Sequence, residues 1–386
     1  MSRSTIADGP SPPVNELLAS IGLVDHHVHS VVSGPVDDAA FLAMVSESNR
    51  QSAAAAAGMD TQVGIAIRRW CGPLLGLPAS APAADYLERR RGLSNEAVAA
   101  VLLPAAGFAR LLVDTGYRGE ELVPVDALGQ LAGAATGRIV RLEALAERVA
   151  TSGVSATGFR EGFVDALQQE LATAVGLKSI IAYRVGLDFD PDPPTAAEVD
   201  HHAGTWFEAI QASGSARLVD PVILRFVLWT GARTGRPLQV HAGYGDPDLN
   251  LLRADPLRMT DFLRATEDVC PVLLLHNYPY HRNAGYLAQM FAHVYFDVGL
   301  AINYTGAQGG QLIAESLEIA PLTKILFSSD AWGAPELHLL GSWLYRRGMA
   351  RVIGGWVASG DWSLEDADRT IKLITGENAR RVYGLD

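Results

Sequence analysis

Short apolar runs, each closing on a polar or charged residue and each followed by helical spacing, recur from residue 109 to the end of the chain. They are ARLLVDTGY (109–117), GRIVRLEAL (137–145), LKSIIAYRVGL (177–187), PLQVHAGYG (237–245), CPVLLLHNY (270–278), HVYFDVGL (293–300) and KILFSSDAW (324–332). An eighth lies ahead of them, where Ile21, Leu23 and Val24 lead into VDHHVH (24–29). Runs that are apolar on both faces predict a parallel sheet covered by helices. Eight such units in one chain of 386 residues predict an α/β fold, a (β/α)8 TIM barrel, rather than an open doubly wound sheet. No Gly-x-Gly-x-x-Gly follows the first run, which argues further against a dinucleotide fold.

The stretch from about 31 to 108 breaks this rhythm. It is Ala-rich and helical in pattern, punctuated by Gly72-Pro73, Pro78 and Pro82, and too long for a plain loop. It reads as a helical cap inserted after the first strand, inside a single domain spanning 1–386. As a cap it should lie over the barrel mouth, with Trp70 as its candidate pocket contact. Residues 1–13 read as a disordered Ser/Pro-rich lead, and 14–20 as a short helix.

Active sites of such barrels sit at the C-terminal ends of the strands. Those ends carry His27 and His29 on the first strand, Lys178 and Arg184 on the fourth, His241 on the fifth, His276 on the sixth and Asp330 on the eighth. His27 and His29, two apart on a strand, share a face and suit one divalent metal held by ring nitrogens, whereas His26 and Val28 should face the other way. A single histidine ending an apolar run is more often a satisfied core residue, but convergence of this many ionisable groups on one mouth is not what a structural role predicts. Arg184 offers a planar guanidinium suited to a substrate carboxylate. Blander readings suit other polar positions: a solvated helix face for His201 and His202, a loop for His281, packing for His338, and orienting His27 or His29 or capping the barrel for Asp25, while Asp297 suits structural hydrogen bonding and a substrate contact equally.

Composition narrows the partners. Net charge is −12, which disfavours nucleic acid or an anionic membrane. A mean hydropathy of +0.13 fits a globular chain with a large core. Two cysteines without metal spacing, Cys71 and Cys270, fit a reducing compartment, and no apolar signal core is seen, so the expected location is the cytoplasm. The expected partner is a small-molecule substrate, and a homodimer is compatible with the chain.

The DxHxH at residues 25–29, single histidines ending strands five and six, and an Asp ending strand eight together resemble the metal-dependent amidohydrolase superfamily. More narrowly, LKSIIAYRVGL, VHAGYGDPDLNL, LLLHNYPYHRNAGYLA, FDVGLAINY, LFSSDAW and the closing GENARRVYGL resemble the amidohydrolase domain fused to glutamine synthetase-like domains in nodulin and fungal developmental proteins. The resemblance implies a Zn²⁺-type ion held by His27, His29, His241 and Asp330, with Asp330 also accepting a proton from water and His276 polarising the scissile carbonyl. It implies a second ion if Lys178 is carboxylated and bridges. The activity implied is hydrolysis of a C–N bond in a small carboxylate-bearing substrate, a γ-glutamyl-type amide being one candidate. The rivals are a single-metal non-oxidative decarboxylase and a catalytically silent binding protein.

Overall fold

Seven of the apolar runs form strands: β1 (Leu23–Val28), β2 (Phe108–Asp114), β3 (Ala135–Arg141), β4 (Ala174–Ser179), β5 (Leu238–Ala242), β6 (Val272–His276) and β7 (Val294–Phe296). The computed structural model describes residues 3–48 and 57–386. The strands lie in sequence order in one sheet, and every neighbouring pair is parallel. Burial of β1, β5 and β6 along their whole length, and of the C-terminal parts of β2 to β4, follows from helices packed outside and side chains filling the inside.

The eighth run closes the ring without becoming a regular strand. Leu326 N donates to Phe296 O beyond β7, His26 N donates to Phe327 O, and Asp330 N donates to His27 O. The result is an α/β TIM barrel whose last stave is held by scattered bonds. Its floor is an apolar layer of Val24, Leu112, Ile139, Leu273 and Leu326, plugged by Tyr383 from the C-terminal helix. Gly176 makes room for that plug, since a Cβ there would stand 2.9 Å from the tyrosine ring.

The structure departs from several expectations. The runs at 137–145 and 177–187 are strands only to Arg141 and Ser179, after which the chain turns helical at Leu142–Ala150 and Ile181–Arg184. In β1 the register shifts between Asp25 and Val28, and His26 and His27 both join the hydrogen bonds of Gln239 and Tyr383, while His27 and His29 share the side facing Asp330. The lead is ordered: Arg3–Ile6 is helical, Ile6 and Ala7 are buried, and Ser11 precedes a helix that starts on Pro12 and Pro13. Proline in a first turn costs no hydrogen bond and presets the helical φ, so what reads as a breaker is here a start signal.

The insertion is helical at Asp38–Met44, Gln62–Ala66, Ala83–Arg91 and Asn95–Ala106. Most of it runs along the barrel's flank, with Asn95–Ala106 and Ile67–Cys71 packing on the long Pro335–Ser359 helix. The alanine run of 53–57 falls mostly outside the described residues. Both cysteines are buried as free thiols. Among the described residues no helix is long and apolar enough to cross a membrane.

Candidate metal centre

The polar mouth begins one layer above the Tyr383 plug. Gln239 is buried in β5, two residues before His241. Its Nε2 donates to His26 O at 2.7 Å and to the Tyr383 hydroxyl at 2.8 Å, which leaves Oε1 facing His27 Nδ1 at 2.9 Å. A carbonyl oxygen can only accept, so His27 carries its proton on Nδ1. His29 is fixed in the same way, its Nδ1 donating to Asp114 O at 3.0 Å. Both imidazoles therefore turn unprotonated Nε2 atoms toward the barrel axis.

Asp330 meets those lone pairs. Its Oδ1 lies 2.9 Å from His27 Nε2 and 3.7 Å from His29 Nε2, and its Oδ2 lies 3.5 Å from His276 Nδ1. One ligand atom from each of His27, His29 and Asp330 fits within a 4.8 Å span. The His241 and His276 rings are 4.6 Å apart, with His276 5.4 Å from His27. Among the described residues no hydrogen-bond partner reaches Asp330 Oδ1, His241 Nε2 or either ring nitrogen of His276, although all are buried. Acceptors abandoned in a dry site are costly unless something electropositive sits among them. His/His/Asp donors of borderline softness fit a divalent transition-metal ion, and the residues present thus match the group that the sequence implies.

Electrostatics agree. Burial pushes protonation of His27, His241 and His276 well below the usual range, with Lys178 adding to it for the first two and His241 for the third. Burial takes His29 down to about 3, against the opposing pull of Asp114 and Asp330. These are neutral rings, the protonation state a metal requires. Burial lifts Asp330 to about 6, with Lys178 and His29 pulling the other way.

The backbone is bent to make this site. His276, Asn277 and Asp330 have φ of 69°, 59° and 48°, a left-handed conformation uncommon outside glycine. Asp297 holds the first two there: its Oδ1 accepts from His276 N at 3.0 Å, while Asn277 Nδ2 donates to its main-chain oxygen at 3.0 Å. Backbone in such regions clusters at functional sites, where surrounding bonds hold it.

Lys178 lies inside the cluster, Nζ 2.8 Å from His27 Nε2 and 3.6 Å from Asp114 Oδ2. Burial lowers its pKa, with Asp114 opposing. Arg141 covers the other side of Asp114, its Nη2 at 2.5 Å. Arg184 and Trp70 are not brought into this cluster. Arg184 follows a helical turn and its Nη2 donates to Glu147 at 3.1 Å. Trp70 stacks under Arg69 and Arg347, at 4.5 and 5.2 Å, in a flank cavity of about 410 Å³ lined also by Gln62, Gly310 and Gly348. His281 is helical and bonded to Glu315, and His338 packs behind His29, its Nε2 3.0 Å from the backbone oxygen.

Gln239, Asp114 and Arg141 were not singled out from sequence as parts of the centre. Their signal was available: each is a polar residue in a buried strand, and Gln239 shares the face of His241. Glu47 carried no such signal. It comes from the insertion, and burial together with the Asp330 and Asp246 carboxyls pushes its own carboxyl well above the ordinary glutamate range.

Removing His27 and His29 together should strip the protein of its tightly held divalent ion, as elemental analysis would show; full retention would defeat this assignment. Gln239→Leu keeps both ligands but frees the His27 tautomer. It should weaken metal affinity about 10- to 100-fold in a chelator titration, with His27 losing its uniform Nδ1–H signature in ¹⁵N NMR.

A barrel mouth with paired histidines on its first strand and a carboxylate on its last stave defines a class of metal-dependent hydrolases. The chain belongs to the amidohydrolase family, whose model matches residues 24–385. It is 31% identical over 311 residues to protein fluG of Emericella nidulans, a match covering 72% of this chain and 36% of that protein. The match thus spans about a third of that relative's length. Among solved structures, a protein of Lactobacillus casei provisionally described as a metal-dependent hydrolase superposes with a TM-score of 0.84 at 27% identity, over 96% of each chain. A uronate isomerase of Bacillus halodurans matches with a TM-score of 0.66 at 14% identity, over 100% of this chain and 98% of its own, which is a likeness of fold alone.

Proposed function

We propose that the protein is a Zn²⁺-dependent hydrolase of the cytoplasm that splits a C–N bond in a small carboxylate-bearing amide, of which γ-glutamyl amides are the best candidates. The observation that carries this reading is the set of partnerless acceptors on His241, His276 and Asp330 around two tautomer-locked histidines. When bound there, a divalent cation supplies a Lewis acid and makes water a nucleophile near neutral pH.

The chain's own residues do the rest. His27 and His29 would hold the ion with Asp330 and His241. Asp330 takes the proton of the attacking water and passes it to the departing amine. His276, with both ring nitrogens free among the described residues, is placed to donate to the developing oxyanion.

The experiment is to incubate zinc-loaded protein with γ-glutamyl-p-nitroanilide and a panel of γ-glutamyl alkylamides, measuring free amine and evolved CO₂ together. Amine release without CO₂ is expected. CO₂ release from aromatic or β-keto acids, with every amide untouched, would replace this reading with a decarboxylase. One observation gives that second reading weight: Lys178 Nζ stands 2.8 Å from His27 Nε2 and 3.6 Å from Asp114 Oδ2, where the carboxylate favours a cationic amine over an anionic carbamate.

A further inference from the structure

A line of hydrogen bonds runs from His27 through Gln239 and the Tyr383 plug to a buried carboxylate. His27 Nδ1 meets Gln239 Oε1 at 2.9 Å, and Gln239 Nε2 meets the Tyr383 hydroxyl at 2.8 Å. That hydroxyl meets His26 Nδ1 at 3.1 Å, and His26 Nε2 meets Asp297 Oδ2 at 3.0 Å. All five side chains are buried, Tyr383 at 5% exposure and the others at 0%. They come from β1, β5, the C-terminal helix and the residue that follows β7.

Chemistry at the two ends fixes the direction of every bond in this line. A side-chain amide nitrogen only donates, and Gln239 Nε2 is held in that orientation by His26 O at 2.7 Å. The Tyr383 oxygen therefore accepts from Gln239. At the other end an ionised carboxylate only accepts, so His26 carries a proton on Nε2. Burial would raise the Asp297 pKa, but the bonds from His26, Gly299 and His276 outweigh it and lower it instead. The Tyr383 proton needs an acceptor, and His26 Nδ1 supplies one. Each donor thus points the same way, from the metal ligand toward Asp297.

Asp297 does more than end the line. Its Oδ1 accepts from His276 N at 3.0 Å, Gly299 N at 2.8 Å and Ser328 Oγ at 2.9 Å, so the same carboxylate fixes the turn that carries His276. We propose that Asp297 is a positioning residue of the metal centre, polarising His27 Nε2 toward the cation through His26, Tyr383 and Gln239 while its other oxygen holds the His276 turn. A histidine that donates its second N–H to an acceptor is a more basic metal ligand, and aligned hydrogen bonds ending on an anion carry that polarisation along the line. The inference rests on the metal-centre reading for what the line serves, but not for the direction of its bonds. It also gives a role to His26, the histidine of DHHVH that lies outside the cluster of His27, His29 and Asp330.

The test starts with ¹⁵N NMR of the histidine rings in the wild-type full chain, where His26 should carry its proton on Nε2 and His27 on Nδ1. Two variants then interrupt the line at different links. Asp297→Asn keeps an oxygen for His276, Gly299 and Ser328 and turns its amide nitrogen to His26. Two donors would meet there, so His26 should move its proton to Nδ1. Tyr383→Phe removes the middle link, while His26 O still orients Gln239. Each variant should weaken zinc affinity about three- to tenfold in a chelator titration, less than loss of a direct partner because polarisation fades with each link. The double variant should bind zinc no more weakly than the worse single one, since a line cut once carries nothing; two separate packing defects would multiply. A wild-type His26 proton on Nδ1, unchanged zinc affinity in both variants, or multiplied losses in the double variant would overturn the proposal. Should one variant fail to fold, the wild-type tautomers and the other variant still decide. Zinc held by His27→Ala as tightly as by wild type would instead defeat the metal-centre reading, and the line would have no cation to serve.

Discussion

Asp330→Asn is expected to lower kcat by about 10²–10⁴ while leaving the barrel folded, the range that follows from loss of one general acid–base group. The substitution preserves shape. Residue 330 would still donate its backbone N–H to His27 O at 3.1 Å, and the neighbouring Ser329 N would keep its bond to Asp25 Oδ1 at 3.1 Å. An amide is also tolerated at the left-handed φ of 48°, where asparagine is among the few side chains that fit readily. What is lost is the ability to take a proton.

Burial, offset in part by Lys178 and His29, places the Asp330 carboxyl at about 6, and a divalent cation against His27 and His29 would draw it lower, so the base is ionised at pH 7–8. Since a carboxyl is protonated below its pKa, wild-type turnover should fall as the pH drops through that value, and the Asn variant should lose this acid limb. Steady-state rates from pH 5 to 8.5, with metal content measured at each end, check both parts. A variant that turns over near the wild-type rate would mean that Asp330 is a ligand only.

The cluster of His27, His29, His241, His276 and Asp330 was legible in the sequence because each breaks an apolar run. One such residue can be a satisfied core group, but parallel packing brings all the strand ends to one rim, and this many ionisable groups there together is not what a structural role predicts. The eight-stave plan was legible on the same ground, although the last stave bends too sharply around Asp330 to pair as a regular strand. What could not be read depends on where irregular backbone goes. Arg184 was placed at a strand end because IIAYRV is apolar, but the chain turns helical at Ile181 and delivers the guanidinium to Glu147. Trp70 was assigned to the mouth because an insertion after β1 must start there; it then runs down the flank, where Arg347 takes the indole face. Glu47 stayed hidden because a glutamate in an irregular segment has no periodicity to give it a direction.

Lys178→Met should keep one divalent ion per chain and cost about 10²-fold in kcat, the scale of losing one fixed charge aimed at the reacting centre. The geometry around its amine is what decides between its two roles. A bridging role requires Nζ to add to CO₂, losing a proton, and to project an anionic carbamate into the site. The lowered pKa favours the free amine that such a reaction needs. The surroundings oppose the product: Asp114 Oδ2 is 3.6 Å away, and Arg141, which could offset a second anion, is already bonded to that same oxygen at 2.5 Å. Burial alone would raise Asp114, but Arg141 and Lys178 outweigh it and hold the carboxyl ionised. As a cation, Lys178 instead completes an alternating chain of charge from Arg141 through Asp114 to Lys178 and on to Asp330. Methionine keeps the packing of the stem and removes only the charge. Metal analysis and rates in the presence and absence of bicarbonate separate the two roles. One ion in both proteins, with no effect of bicarbonate on wild type, is the expected result. Loss of an ion in Lys178→Met, with partial recovery on adding a short carboxylic acid, would establish the carbamate bridge and a two-ion centre instead.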